Sequence, residues 1–410
     1  MKRFLSVLLV LTLLLSTSLL SCESKQDNQK EDNEEEKEPV KELTAEEKAI
    51  MDDLIFLMED DTYDTDELIG KFFCDFTIDR FDGAYLPYSR IYKSGDVLAT
   101  ENKNNETTYQ IVKDGKLCTV YRTNDGAKLH LESEQEYPYD YPLSIFTAFG
   151  IDMSSIYSPS EAAEDEPEVT YDSLTVAKDK KSVVFSDEYL ADVAKFLCSS
   201  IEPNKPSDAE MKKFVNEMTA SGVYTLDDQT AKFSIEGAIE SFGNIKLETS
   251  FSFEGKKPSS ILTSISVAME NDGAIVNATN EVNIRNMTYE NDELVSLTVE
   301  HRELTNLQNT EDSGTIEATF FTVGTYDFML ENSLPSSVSI MVNQEQNTKI
   351  NGTQAANSSS SLTFFVKDNN LSYDISQNGL QQSYIAAEGV AFKAPDNVTI
   401  PEDIYTVLPK

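Results

Sequence analysis

The chain holds no tryptophan, two histidines and four cysteines in 410 residues, and its 33 lysines and arginines face 72 acidic residues. Each shortage closes off a class of function. A net charge of −39 repels phosphate backbones and anionic head groups, so neither nucleic acid binding nor electrostatic docking on a membrane surface is expected. Nucleophilic triads need a histidine beside a serine or cysteine, yet His130 and His301 stand far apart and both read as ordinary strand residues. No nucleophile elbow, phosphate-binding loop, dinucleotide fingerprint or H-E-x-x-H stretch occurs. Carboxylate pairs of the kind glycoside hydrolysis uses are never short among so many acids. Sugar-binding clefts, however, favour large aromatic platforms, which tyrosine and phenylalanine alone must supply here. The expectation is a non-catalytic chain without a cofactor.

The cysteines are Cys22, Cys74, Cys118 and Cys198. They form no CxxC pair and no zinc-ligand spacing, so no metal site is expected. Cys74 follows Lys71-Phe72-Phe73 and Cys198 follows Phe196-Leu197, settings that suit buried free thiols. A disulfide between two of Cys74, Cys118 and Cys198 stays open as an alternative.

Cys22 stands apart. Met1-Lys2-Arg3 leads into an apolar run from Phe4 to Leu20, interrupted by Ser6, Thr12, Ser16, Thr17 and Ser18. Such a run has the pattern of a secretory signal and is marginal as a permanent span. Leu19-Leu20-Ser21-Cys22 then resembles the lipobox of bacterial lipoproteins, with Leu20 departing from the small residue frequent at that position. The resemblance implies cleavage before Cys22, acyl chains on that cysteine, and an extracytoplasmic protein on a bacterial membrane, the outer membrane or the cell surface included. Glu23 follows, not the aspartate that retains some lipoproteins at the inner membrane. Two or more chains anchor stably because each buried methylene contributes about 0.8 kcal/mol. Residues 1–21 are therefore read as the signal peptide. Residues 22–43, centred on Glu34-Glu35-Glu36, are read as an acidic tether too polar to fold.

The folded part is expected in two pieces, 44–201 and 206–410, divided at Pro203 and Pro206. Thr44 and Glu47 form a capping box ahead of a helix with Ile50, Leu54, Leu57 and Met58 on one face. A second short helix is expected from Asp66 to Phe73. The acidic run between them lacks the glycine and the closing glutamate that an EF-hand requires, so calcium is not expected. From Phe76 to Glu132, alternating runs broken by Lys93-Ser94-Gly95-Asp96, Lys113-Asp114-Gly115-Lys116 and Asn124-Asp125-Gly126 predict an antiparallel meander. Tyr137-Pro138-Tyr139-Asp140-Tyr141-Pro142 is either an aromatic contact loop or a turn packed on a sheet edge. Ser186 caps a helix to Ser199, and Ser207 with Glu210 opens another that ends near Ser221-Gly222.

The carboxyl half shows a period of two. One parity carries Ala231, Phe233 and Ile235, then Ile245, Leu247, Thr249, Phe251 and Phe253. It continues through Ile261, Ile265 and Val267, then Leu297 and Val299, Val338 and Ile340, and Leu362, Phe364 and Val366. Ser, Thr, Lys and Glu occupy the other parity. That alternation predicts an antiparallel sheet with one wet and one dry face. Asn343–Ser361 reads as a long flexible loop. The fold class is α+β, mostly β: large curved antiparallel sheet(s) with a few packing helices, either an open half-barrel around a helix or two sheets closed on each other.

The leading helix, the meander with its lysine-glycine-aspartate turns and the closing Phe392-Lys393-Ala394-Pro395-Asp396-Asn397-Val398 resemble LolA-like carriers and lipid-binding lipoproteins. That resemblance implies an apolar cavity for a lipid or other hydrophobic ligand. Phe233, Ile235, Leu247, Phe251, Phe253, Ile265, Val267, Leu297 and Phe364 would line it. The leading expectation is a membrane-anchored binding or interaction module for a protein partner, with carriage as the alternative.

Overall fold

The structure, a computed structural model, describes residues 43–59, 77–79, 88–94, 96–102, 104, 106–122, 128–137, 143, 167–199, 206–240, 243–271, 274–291, 293–311, 314–331, 334–388, 391–393 and 400–409. The signal, the tether, the short helix at 66–73, the acidic run, the turn at 124–126, most of the tyrosine-proline loop, Cys74 and the Cys198 side chain lie outside that set.

Helix α1 (Ala45–Glu59) starts as its capping box dictates: the Glu47 amide donates to Thr44 Oγ1 at 3.2 Å and the Thr44 amide to Glu47 Oε2 at 2.8 Å. Strands β1 (Thr77–Asp79), β2 (Tyr88–Ser94), β3 (Val97–Asn102), β4 (Thr107–Lys113), β5 (Lys116–Arg122) and β6 (Leu129–Glu136) follow as antiparallel neighbours. Asp114 and Gly115 turn β4 into β5 with φ of 51° and 70°, the pair of positive angles that a tight primed hairpin needs.

The second sheet begins with β7 (Leu174–Val176) and β8 (Ser182–Phe185). Helices α2 (Asp187–Ser199) and α3 (Asp208–Glu217) come next, opened by Ser186 and by the reciprocal Ser207–Glu210 box. Then run β9 (Thr219–Thr225), β10 (Thr230–Ile239), β11 (Gly243–Glu254), β12 (Lys257–Asn271), β13 (Ala274–Glu290), β14 (Glu293–Glu311), β15 (Gly314–Glu331), β16 (Leu334–Ile350), β17 (Thr353–Lys367), β18 (Asn370–Gln377) and β19 (Leu380–Glu388). These thirteen strands form one open sheet in strict chain order. Finally β20 (Ala391–Lys393) returns to pair with β1, making seven strands in the first sheet. The expected boundary between 201 and 206 is therefore crossed twice: β7 and β8 belong to the large sheet, and β20 to the small one.

Two elements differ from expectation. α3 stops at Glu217, because Met218 already has extended backbone and Thr219–Thr225 is β9. Gly222 is not a helix cap; a β-carbon there would meet Leu190, Phe185 and Phe233, each at 3.1 Å, so its lack of a side chain lets β9 approach α2 closely. Asn343–Ser361 is not a loop either. It forms the second half of β16 and the first part of β17, joined by Asn351-Gly352 with φ of 51° and 75°.

One core unites the two sheets. Ile91, Leu98 and Leu117 of the small sheet join Met51 and Leu54 of α1, Leu190 of α2, Phe214 of α3 and the dry face of the large sheet. A second cluster covers the other face of the small sheet, where Ile404 and Leu408 from the carboxyl terminus pack on Tyr92, Val97, Tyr109, Ile111, Cys118 and Val120. Lys113 Nζ donates to the Pro409 carbonyl at 2.7 Å, which ties that segment down.

Candidate functional site

The dry face is continuous across strands. Cross-strand register sets Phe233 opposite Thr249, Ile235 opposite Leu247, Leu247 opposite Ile265 and Phe251 opposite Ile261. Of the nine residues expected to line a cavity, Phe233, Ile235, Leu247, Phe251, Ile265, Val267, Leu297 and Phe364 are buried in the shared core, and Phe253 packs against it half-buried. Phe233 stands edge-on to Phe251 with centroids 6.0 Å apart and tilts against Phe185 at 4.7 Å. They belong to one apolar cluster.

A polar seam crosses that face. Thr249 Oγ1 and Thr263 Oγ1 share a hydrogen bond of 2.6 Å, and His301 Nε2 lies 3.1 Å from Asn280 Oδ1. All four side chains are buried. Asn280 is fully enclosed, and its Nδ2 has no hydrogen-bond partner among the described residues. Tyr326 folds across Gly324, where a β-carbon would fall 2.6 Å from the Tyr326 ring, and Gly324 is the register partner of His301. Parity gave a signal for this seam: Asn280 sits between Ala278 and Val282, and His301 follows Val299. Reading His301 as an ordinary strand residue missed its burial.

Past the seam the sheet leaves its core behind. Neither β16 from Asn343 to Ile350 nor β17 from Thr353 to Ser361 contains a buried residue. β14 from Arg302 to Asn309 has none, and β15 from Gly314 to Val323 has only Ala318. At about 3.4 Å per residue, eight residues of β16 reach about 27 Å beyond the packed region. Among the described residues this extension is one layer thick. Polar rungs support its backbone ladder: Thr319 donates to Asn306 at 3.0 Å, Gln354 to Asn347 at 3.0 Å and Ser360 to Gln344 at 3.2 Å.

Both of its faces carry apolar side chains. On the face continuous with the core, Ile316 pairs directly with Ile350, and Phe320 lies two rungs away on β15. On the opposite face, Leu304 pairs with Phe321 and Val323 follows on the next rung; Met341 and Phe365 continue that face over the packed body of the sheet. Val323, Met341 and Phe365 are diagonal neighbours, about 7–8 Å apart and within reach of long side chains, whereas Phe320 stands about 14 Å along β15 from Ile316. Leu304, Ile316, Phe320, Met341, Ile350 and Phe365 are all exposed.

Among the described residues no cluster of three or more histidine, cysteine or acidic side chains is arranged to hold a metal ion, and no helix is long and apolar enough to cross a membrane. No family model, curated protein or solved structure matches the chain.

Proposed function

We propose that the protein is an extracytoplasmic lipoprotein, held on a bacterial membrane by acyl chains on Cys22, that acts as a non-catalytic interaction module. The observation that carries this reading is the one-layer extension of β14–β17 with exposed apolar side chains on both faces. Exposed apolar surface of that kind marks binding sites for other macromolecules, and the strands carry it past the packed body. The acyl anchor would supply the membrane attachment that a chain of net charge −39 cannot obtain from its own surface. The contact would be with a protein partner.

Two experiments test it. Cys22→Ser should block labelling by a palmitate analogue and move the protein from the membrane to the soluble fraction; unchanged membrane retention refutes the anchor. A photoreactive side chain at Phe320 or Leu304 should give one discrete adduct in cells, and the same group at Lys232 on β10 should give none. Organic extraction of the purified mature chain decides the alternative, since stoichiometric co-extracted lipid would replace this reading with carriage on the dry face.

A further inference from the structure

A separate feature lies at one end of the small sheet. There a cleft of about 680 Å³ opens between the last residues of β3 and β5 and the first residues of β4 and β6. Asn102, Glu106, Thr108, Tyr121, Arg122 and Glu132 line it. The size falls within the range of about 300–1,000 Å³ typical of small-molecule sites, but the lining is far more polar than those sites usually are.

The walls are built rather than incidental. Asn102 Oδ1 accepts the Asn104 amide at 2.8 Å and the Glu106 amide at 3.0 Å, while Asn102 Nδ2 donates to Glu106 Oε2 at 2.6 Å. This ties Asn104 and Glu106 to the end of β3 and aims the Glu106 carboxylate. On the far side, β6 carries one residue too many: Thr119 pairs with Ser133 and Val120 with Leu131, so Glu132 is bulged out of the ladder. In a regular strand Leu131 and Glu132 would point to opposite faces. The bulge re-aims them, and both line the cleft. His130 stacks on the Tyr121 ring with centroids 5.4 Å apart and an interplanar angle of 24°, which holds that ring in plane. Arg122 lies 3.8 Å from the exposed carboxylate of Asp403.

The chemistry narrows the ligand. An anion would meet two carboxylates in a strongly acidic chain. A cation would meet Arg122. What suits a lining of one guanidinium and two carboxylates, with an amide, threonine hydroxyls and an aromatic ring among them, is a neutral molecule dense in both donors and acceptors with an apolar edge. We infer that this cleft binds an uncharged polyhydroxylated ligand, a neutral saccharide, with its hydroxyls on Glu106, Arg122 and Glu132 and its C–H face on Tyr121. The inference is independent of the β14–β17 extension.

The test uses the full-length mature chain on an array of neutral, sulfated, sialylated and amino-substituted oligosaccharides, with calorimetric titration of the best neutral binder. Neutral glycans should bind, and Tyr121→Ala and Glu132→Gln should each weaken binding by about tenfold or more. Lys195→Ala on α2 should leave it unchanged. Both cleft residues are exposed, and matching circular dichroism spectra would show that the variants fold. Absence of binding to any neutral glycan overturns the inference. So does a preference for charged glycans, or full affinity in the Tyr121→Ala/Glu132→Gln double variant.

Discussion

Phe364 and Phe320 offer a matched pair, the same residue type on neighbouring regions of one sheet face. Phe364 on β17 is 0 % exposed within the core and Phe320 on β15 is 43 % exposed beyond it. Truncating a fully buried phenylalanine to alanine removes its transfer free energy and leaves a cavity, together about 3–5 kcal/mol. That is a large part of the total stability of about 5–15 kcal/mol expected for a folded chain. Phe320 is flanked across the sheet by Thr305 and Gln346, and cross-strand contacts of this kind are worth about 0.2–1 kcal/mol. Urea unfolding followed by circular dichroism should therefore show a marked drop in midpoint for Phe364→Ala and almost none for Phe320→Ala. Equal losses would refute the reasoning, because they would mean that the extension is packed beneath something in solution. A loss for Phe320→Ala that grew with protein concentration would identify the cover as a second molecule.

Gly237 lies on β10 under α3, and a β-carbon there would stand 2.6 Å from the Phe214 ring. Gly237→Val should accordingly cost about 1–3 kcal/mol by overpacking, and an unchanged urea midpoint would show that α3 yields freely. Cys118 is a free, buried thiol whose pKa is pushed up, chiefly by burial and then by Glu134. Peptide mapping after iodoacetamide treatment should find it unmodified in the native protein and modified in denaturant. Burial, with Tyr109 and Glu101 nearby, pushes the Tyr92 phenol up to about 12. Its neutral form is favoured by folding, so its contribution is intact below pH 10 and lost as pH climbs from about 10 to 12, by about 2–3 kcal/mol. Tyr92→Phe should flatten that alkaline fall; an unaltered slope would exclude Tyr92 as its source.

The body of the sheet was legible because burial imposes alternation. Val338 and Ile340 face the core, Ser339 faces out, and the sequence records it. Beyond Val342 the same parity holds Gln344 and Gln346, since no core remains to demand apolar groups, while the backbone ladder continues undisturbed. The period ends where packing ends, not where the strand ends. This is why Asn343–Ser361 reads as a loop, even though Asn351-Gly352 at its centre is a strong hairpin signal. The helix caps at Thr44, Ser186 and Ser207 were readable because their partners lie three residues away. The cleft was not, because Asn102, Thr108, Tyr121 and Glu132 meet only through register across four strands and one displaced residue on β6. Asn280 and His301 fall between these cases: their parity was visible, their mutual contact was not.

The strict chain order of the large sheet has an evolutionary corollary. Where adjoining strands run on past the body and turn back through two-residue hairpins, as at Asn351-Gly352, inserting or deleting matched residue pairs changes only how far the blade reaches. Nothing in the interior must be repacked to accommodate it, and a longer connection adds little closure entropy. Related chains should thus preserve the helices and inner rungs while varying in blade length by even steps, a dimension free to adjust to whatever stands opposite.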